Sequence, residues 1–250
     1  KTNLTVLPGQ EADFAIDFDA CKSIHKAGKS GKVMLKPVLQ VIPILSSAGQ
    51  RIQGWLHPSL ATAGATVSVQ AGGQVVRATP PKLDSGGNLK FELYPVPVGS
   101  YNLVVTARGN STAIVTGVPA YAGASTTVNS VAFPINPPTS ALQTVGGTVT
   151  FGASTVDAGG VVRALQLLTG GPTIEAGYSA ADATTGAYRL TLPAGAPART
   201  PYVAGATSFV FTAEPLDAGK YRLEASAPSF AAKTADITLA TDVVTPFAFP

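Results

Sequence analysis

The sequence predicts an all-β protein built from tandem β-sandwiches, and three observations lead to that prediction. Short stretches of alternating apolar and polar residues recur, such as ATVSVQ (65–70) and LKFELY (89–94). Glycine and proline are abundant, at 26 and 20 of 250 residues. One phrase occurs twice, as PVPVGSYNLVVTARG (95–109) and PLDAGKYRLEASAPS (215–229). Period-two alternation is the pattern of a strand with one buried face, and a repeated phrase indicates a repeated unit.

Two turn-rich joints, SSAGQ (46–50) and NPPTS (136–140), divide the chain into three blocks. We expect a partial N-terminal β element at 1–45, called the first block. The second block, 50–135, is expected to form one β-sandwich repeat. The third block, 143–250, is expected to form another, with an insertion near 193–212 that is either a long loop or an extra hairpin.

Within the second block the alternation assigns the inward-facing residues of each strand. LDSGGN (83–88) is a turn in which glycine supplies positive φ. The residues expected to face the core are Ala65, Val67, Val69, Leu89, Phe91, Leu93, Tyr101, Leu103 and Val105.

The third block follows the same plan, with VGGTVTF (145–151) corresponding to IQGWL (52–56). DATTGAYRLTL (182–192) corresponds to the turn and strand at 83–93 and directs Tyr188, Leu190 and Leu192 inward. The phrase found twice is then the corner of each sandwich. Its glycine makes a tight turn, and its tyrosine buries the ring while the hydroxyl bonds a backbone group.

Both repeats resemble the carboxypeptidase regulatory-like, or transthyretin-like, family of Ig-like β-sandwich domains. The resemblance rests on the opening IQG or VGG, then GATVSV, DSGGNLKFEL and VPVGSYNLVVTA. It implies a non-catalytic accessory unit of exported bacterial proteins, found in stalks, outer-membrane transporters, surface proteins and peptidases.

The first block resembles the C-terminal part of a bacterial surface-lipoprotein domain of unknown function, through FAIDFDACKSI (14–24) and GKVMLKPVLQVI (31–42). The rest of that domain is expected upstream. Residues 38–45 predict a strand buried on both faces, and ACKSIHKAG (20–28) predicts a short helix. Such strands cannot bury themselves alone. They must pack on the second block, pair with an upstream fragment, or add to another chain's sheet.

Composition limits the partners. Charged residues make up 12% of the chain, about half the usual share, and the net charge is +3. Five lysines cluster within 22–36 without an aromatic residue to stack on a base, so we expect no nucleic-acid partner. No apolar run is long enough to span a membrane. The chain begins at Lys1 without a signal peptide and is expected to be a processed or truncated product.

Candidate sites are few. Asp13, Asp17 and Asp19 could hold a cation or form the solvent-exposed face of an edge strand. Cys21 and His25 could pair at i, i+4 on the predicted helix, and Trp55 is expected in the core. The sequence contains no catalytic triad, phosphate loop or zinc motif, so no cofactor is expected. A carbohydrate surface could be formed by Tyr121, Tyr178 and Tyr202.

The sequence therefore predicts a non-catalytic extracellular structural protein of a bacterial surface: a stalk, spacer or filament subunit. Self-association, including strand addition between subunits, or binding to other surface proteins is expected. The alternative is a carbohydrate-binding or accessory module of an exported multidomain protein or peptidase.

Overall fold

The computed structural model describes residues 13–18, 23–27, 32–35, 39–44, 50–152 and 159–250, and most of this backbone is strand. The all-β prediction is confirmed. In the part of the chain that the structure describes, two short 3-10 helices interrupt the strands, at Pro58–Thr62 and Pro215–Asp217.

The described residues of the first block form two small antiparallel sheets, in which β1 pairs with β4 and β2 with β3. The predicted helix is wrong over Ile24–Ala27, which is a strand whose backbone groups pair antiparallel with β3. Burial on both faces is also wrong at Leu39, which is 57% exposed in a sheet of only two described strands. The strands are β1 (Asp13–Phe18), β2 (Ile24–Ala27), β3 (Lys32–Leu35) and β4 (Leu39–Ile44).

The second block forms a sandwich, here called the first sandwich, whose two sheets enclose one apolar core. One sheet has the strand order β12-β5-β9-β8, and the other contains β11-β10-β6-β7. All nine residues predicted to face its core are buried. Its strands are β5 (Gln50–Leu56), β6 (Thr66–Ala71), β7 (Gln74–Thr79), β8 (Lys82–Leu83), β9 (Leu89–Val96), β10 (Gly99–Thr106), β11 (Ala113–Ala120) and β12 (Ser125–Thr127).

The third block forms a second sandwich with the same pairing order. Its opening strand β13 pairs antiparallel with β16 and parallel with β21 and β22, as β5 does with β9 and β12. The facing sheet runs β15-β14-β19-β20. The strands of this block are β13 (Leu142–Phe151), β14 (Val161–Leu167), β15 (Thr173–Ala180), β16 (Ala187–Pro193), β17 (Ala198–Pro201), β18 (Thr212–Ala213), β19 (Lys220–Ser226), β20 (Lys233–Thr238), β21 (Val243–Val244) and β22 (Phe247–Phe249).

The tyrosine of the repeated phrase makes the predicted corner in both sandwiches. The Tyr101 hydroxyl donates to the Pro97 carbonyl at 2.8 Å, and the Tyr221 hydroxyl donates to the Pro193 carbonyl at 2.7 Å. The glycines differ in what they provide. Gly219 has φ +63°, whereas a Cβ at Gly99 would lie 3.0–3.2 Å from the hydroxyl and the nearest ring carbons of Tyr101. The corner therefore needs glycine for backbone freedom in one repeat and for space in the other.

A third buried tyrosine hydroxyl, that of Tyr188, makes the stability of the second sandwich fall at alkaline pH. Burial raises the pKa of Tyr188 to about 12, and its hydroxyl donates to the Thr245 carbonyl. The ordinary tyrosine pKa is near 10. The folded state therefore favours the protonated hydroxyl, and this contribution, complete below about pH 10, is lost as the pH rises through about 12.

We expect Tyr188→Phe to lower the free energy of unfolding at neutral pH by about 0.5–1.5 kcal/mol, the net value of one hydrogen bond. Above pH 10 we expect the variant to lose less stability than wild type, as measured by urea unfolding across pH 8–12. Tyr121→Phe is the control because Tyr121 is 56% exposed. Parallel pH profiles for wild type and Tyr188→Phe contradict this account.

Candidate functional site

The insertion of the third block, residues 194–214 and here called the strap, leaves the second sandwich and joins the first. Its strand β17 pairs in parallel with β11, the edge strand of the first sandwich. The Ala198 amide donates to the Thr112 carbonyl at 2.9 Å, and the Tyr202 amide donates to the Thr116 carbonyl at 2.8 Å. Because β18 pairs with β17, the sheet grows from four strands to six. The strap thus contains the extra hairpin that was one of two predicted alternatives, and its partner is a sheet of the other sandwich.

The strap also closes the open side of the first sandwich, between β11 of one sheet and β12 of the other. After β17 it reaches the segment that follows β12, where the Ser130 amide donates to the Thr207 carbonyl at 3.1 Å. Tyr202, Phe209 and Phe211 pack against the apolar core of the first sandwich. The core of one sandwich is therefore completed by aromatic side chains from the other.

A second contact is an apolar joint between the sandwiches. Val104 and Ile114 lie on the outer face of the first sandwich, where side chains are normally exposed to solvent. They pack against Leu168 and Ile174 of the second sandwich, and all four are at most 5% exposed. Burial of outward-facing valine and isoleucine side chains favours the docked arrangement.

A buried glutamine side chain connects the two sandwiches through the same pair of backbone hydrogen bonds that a neighbouring strand would make. The Gln70 side chain donates to the Glu175 carbonyl at 2.9 Å and accepts from the Glu175 amide at 2.7 Å. Gln70 is 1% exposed. Both backbone groups of Glu175 are thus satisfied by one side chain from the other sandwich, and loss of that side chain leaves them buried without these bonds.

Arg163 supplies the charge at the same joint. Its guanidinium donates to the Gly73 carbonyl at 3.2 Å and the Gln74 side chain at 2.8 Å, both in the first sandwich. It also pairs with Glu175 at 3.1 Å and with Glu224 at 2.6 Å. Burial disfavours its charge, but Glu224 and Glu175 outweigh that effect and raise its pKa. The cation is therefore retained in a partly buried network.

The described surface includes two clefts of moderate size. One of about 230 Å³ lies between the sandwiches and is lined by residues that include Arg108, Asn110, Thr112 and Thr191. The other, of about 370 Å³, lies on the outer face of the second sandwich beside Lys220, Arg222 and Asp236. Among the described residues, no cluster of three or more His, Cys, Asp or Glu side chains could hold a metal ion.

The predicted first-block sites are only partly described. Asp13 and Asp17 lie on β1, whereas Asp19 lies outside the described residues, so the cation site stays a prediction. Cys21 also lies outside them. His25 belongs to strand β2, so it does not lie on the helix that the possible pairing with Cys21 assumed.

The structure gives the predicted aromatic residues different positions. Tyr121 follows β11 and Tyr202 follows β17, and the pKa of Tyr202 is raised by burial and by nearby Tyr121. Tyr178, expected in a loop, is in strand β15, where it pairs with Arg163 of β14. Trp55, expected in the core, lies on the outer face of β5, because the inward positions of that strand are Ile52, Gly54 and Leu56. The carbohydrate surface stays a prediction.

Comparison with known proteins gives a partial family match. Residues 1–37 match the model of a domain of unknown function, DUF4382, which agrees with the resemblance of the first block. No match was found among curated proteins. The carboxypeptidase regulatory-like resemblance of the two sandwiches stays a prediction.

Two solved structures align with most of the chain. The TIE protein of Bacillus anthracis is 11% identical with a TM-score of 0.25, over 95% of this chain and 41% of that one. A candidate adhesin from Bacteroides ovatus is 10% identical with a TM-score of 0.26, over 82% of this chain and 93% of that one. At these TM-scores the likenesses carry no argument about function. Within the described residues, no helix is long and apolar enough to span a membrane.

We expect Gln70→Ala to lower the free energy of unfolding by about 1–3 kcal/mol, because it removes both bonds to the buried backbone of Glu175. Chemical denaturation measures this change. Gln53→Ala is the matched control, since the Gln53 amide bonds Thr127 on the exposed surface of one sandwich, and should change stability by less than about 0.5 kcal/mol. Equal effects of the two substitutions contradict the role given to Gln70.

Proposed function

We propose that this protein is a non-catalytic spacer of a bacterial cell surface, in which two sandwiches act as one rigid body. The observation that carries the proposal is the strap, which places a strand of the second sandwich in a sheet of the first. A sheet shared between two units resists bending at the joint, because bending there breaks backbone hydrogen bonds.

The linker between the sandwiches supports the same conclusion. Its prolines stiffen the chain, and its backbone is bonded to the first sandwich. The Ser111 amide donates to the Pro138 carbonyl at 2.8 Å, and the Ser140 amide donates to the Gly109 carbonyl at 2.8 Å. Linker, apolar joint and strap hold the pair at three separate places, whereas tandem domains joined by a linker alone move relative to each other.

The surface setting rests on the composition and on the resemblance stated above. Few charges, abundant Thr, Ala and Gly, and repeated sandwiches suit an extended structural element outside the cell. The match of residues 1–37 to a domain of unknown function is consistent with a larger modular protein.

Rigidity is tested by the distance between two spin labels, one on each sandwich, at Lys82→Cys and Thr241→Cys in a Cys21→Ser background. Both labelled residues are exposed. We expect a single narrow distance distribution by pulsed electron paramagnetic resonance. Phe209→Ala with Phe211→Ala, which removes the strap's aromatic contacts, should broaden it.

Val210→Ala is the matched control for the strap, because Val210 lies between these two phenylalanines and is 85% exposed. It should leave the distribution unchanged. A broad or multimodal distribution in the wild-type chain contradicts the rigid-spacer proposal.

A second candidate function, carbohydrate binding, is favoured by the positions of Tyr121 and Tyr202, which follow the paired parallel strands β11 and β17 at the same end of the sheet. Aromatic rings with polar tips suit a neutral sugar surface. A screen of neutral glycans is expected to raise the melting temperature of wild type but not of Tyr121→Ala. Tyr94→Ala, at an exposed tyrosine on β9, is the control. No shift with any glycan contradicts this candidate.

A further inference from the structure

The second sandwich has an open side that corresponds to the side closed by the strap in the first. Strand β20 holds the place of β11: each ends its row of four strands and pairs antiparallel with the preceding strand, β19 or β10. In the described part of the chain, β11 also pairs with β17, whereas β20 pairs with β19 alone. The fold thus shows one such edge with an added strand and one without.

Apolar surface remains at this side of the second sandwich. Ala235 and Ile237 of β20 are half-buried and pack against its core. Val244 of β21, the edge strand of the facing sheet, is 81% exposed. At the corresponding place in the first sandwich, Tyr202, Phe209 and Phe211 cover the core.

We propose that β20 and β21 form an acceptor edge that takes β1 from the first block of a second copy of this chain. The proposal rests on the proposed structural function and deepens it, because it turns the spacer into a unit of an end-to-end row. Strand addition satisfies the free backbone groups of an edge, and the side chains of the added strand set its specificity.

Strand β1 fits this edge by length and composition. It has six residues, as β20 does, and contains no proline, whereas β4 contains Pro43. Proline cannot donate to a strand ladder. Within the described residues β1 pairs with β4 alone, and its Ile16 and Phe18 side chains are 68% and 44% exposed. Among the described strands, the side of β1 away from β4 has no partner, and two of its apolar side chains are exposed.

Charge favours the same partner. Lys233 of β20 and Lys220 of β19 are exposed at the acceptor side. The acidic residue of β20, Asp236, is paired with Arg222 of β19 at 2.7 Å, so its charge is compensated within the sheet. β1 contributes Asp13 and Asp17 in alternation with its apolar residues. Charged residues on an edge strand discourage pairing with arbitrary strands. An acidic donor strand is the kind that these lysines attract.

The two surfaces lie in different parts of the chain, so the contact is heterologous. Such a contact leaves a free donor at one end of a dimer and a free acceptor at the other, and it produces an open row unless the rotation happens to close. Self-association should therefore continue past the dimer as concentration rises.

Sedimentation velocity over a concentration series of the full chain tests this proposal. We expect species heavier than the 25.3 kDa monomer, growing with concentration. Val244→Glu should raise the dissociation constant by at least about tenfold, because it places a charge in an apolar contact. Ile16→Glu should do the same from the donor side.

Matched controls distinguish the loss of the donor–acceptor contact from the general effect of adding a charge to the surface. Val210→Glu changes an equally exposed valine on the strap, and Val33→Glu changes a 60% exposed valine on β3. Both should associate as wild type does. A monomer at every concentration, or equal losses in Val244→Glu and Val210→Glu, overturns the proposal. If the chain stays monomeric and the distribution of distances between the spin labels is narrow, the acceptor-edge proposal alone is wrong. A broad distribution contradicts the rigid-spacer proposal instead.

Discussion

The pairing of β17 with β11 is the interaction on which the rest of the arrangement depends. An edge strand presents unpaired backbone groups and invites unwanted partners. Here a strand of the same chain occupies that edge, through bonds such as the 2.9 Å contact between Ala198 and Thr112. One element therefore protects the first sandwich, completes its core and fixes the position of the second. The glutamine and arginine contacts of the joint lie on the face that this pairing brings together.

The two sandwiches show how one plan acquires different roles. In the first, the chain passes from β9 to β10 by a short turn at Pro97 and Val98. In the second, the corresponding connection between β16 and β19 contains the strap. The tyrosine corner tolerates this change, since the Tyr221 hydroxyl bonds Pro193 at the base of the strap as Tyr101 bonds Pro97. The longer connection thus carries a strand of the second sandwich to the sheet of the first.

Local patterns in the sequence predicted the inward residues of the strands and the tyrosine corners, because both depend on a few neighbouring residues. The partner of the strap could not be predicted, since ARTP (198–201) is too short to alternate and pairs with a sheet of another unit. In the sequence, Gln70 cannot be distinguished from any polar, outward-facing strand residue. It is buried because the two sandwiches dock. The helix predicted around His25 failed because hairpin pairing with β3 outweighed local helix propensity.

Differential scanning calorimetry of the wild-type chain tests the central claim, that the sandwiches form one body, most directly. If the strap and joint couple them, the sandwiches unfold in one transition whose calorimetric and van't Hoff enthalpies agree. Two resolved transitions, or a calorimetric enthalpy well above the van't Hoff value, would contradict the coupling and the spacer built on it.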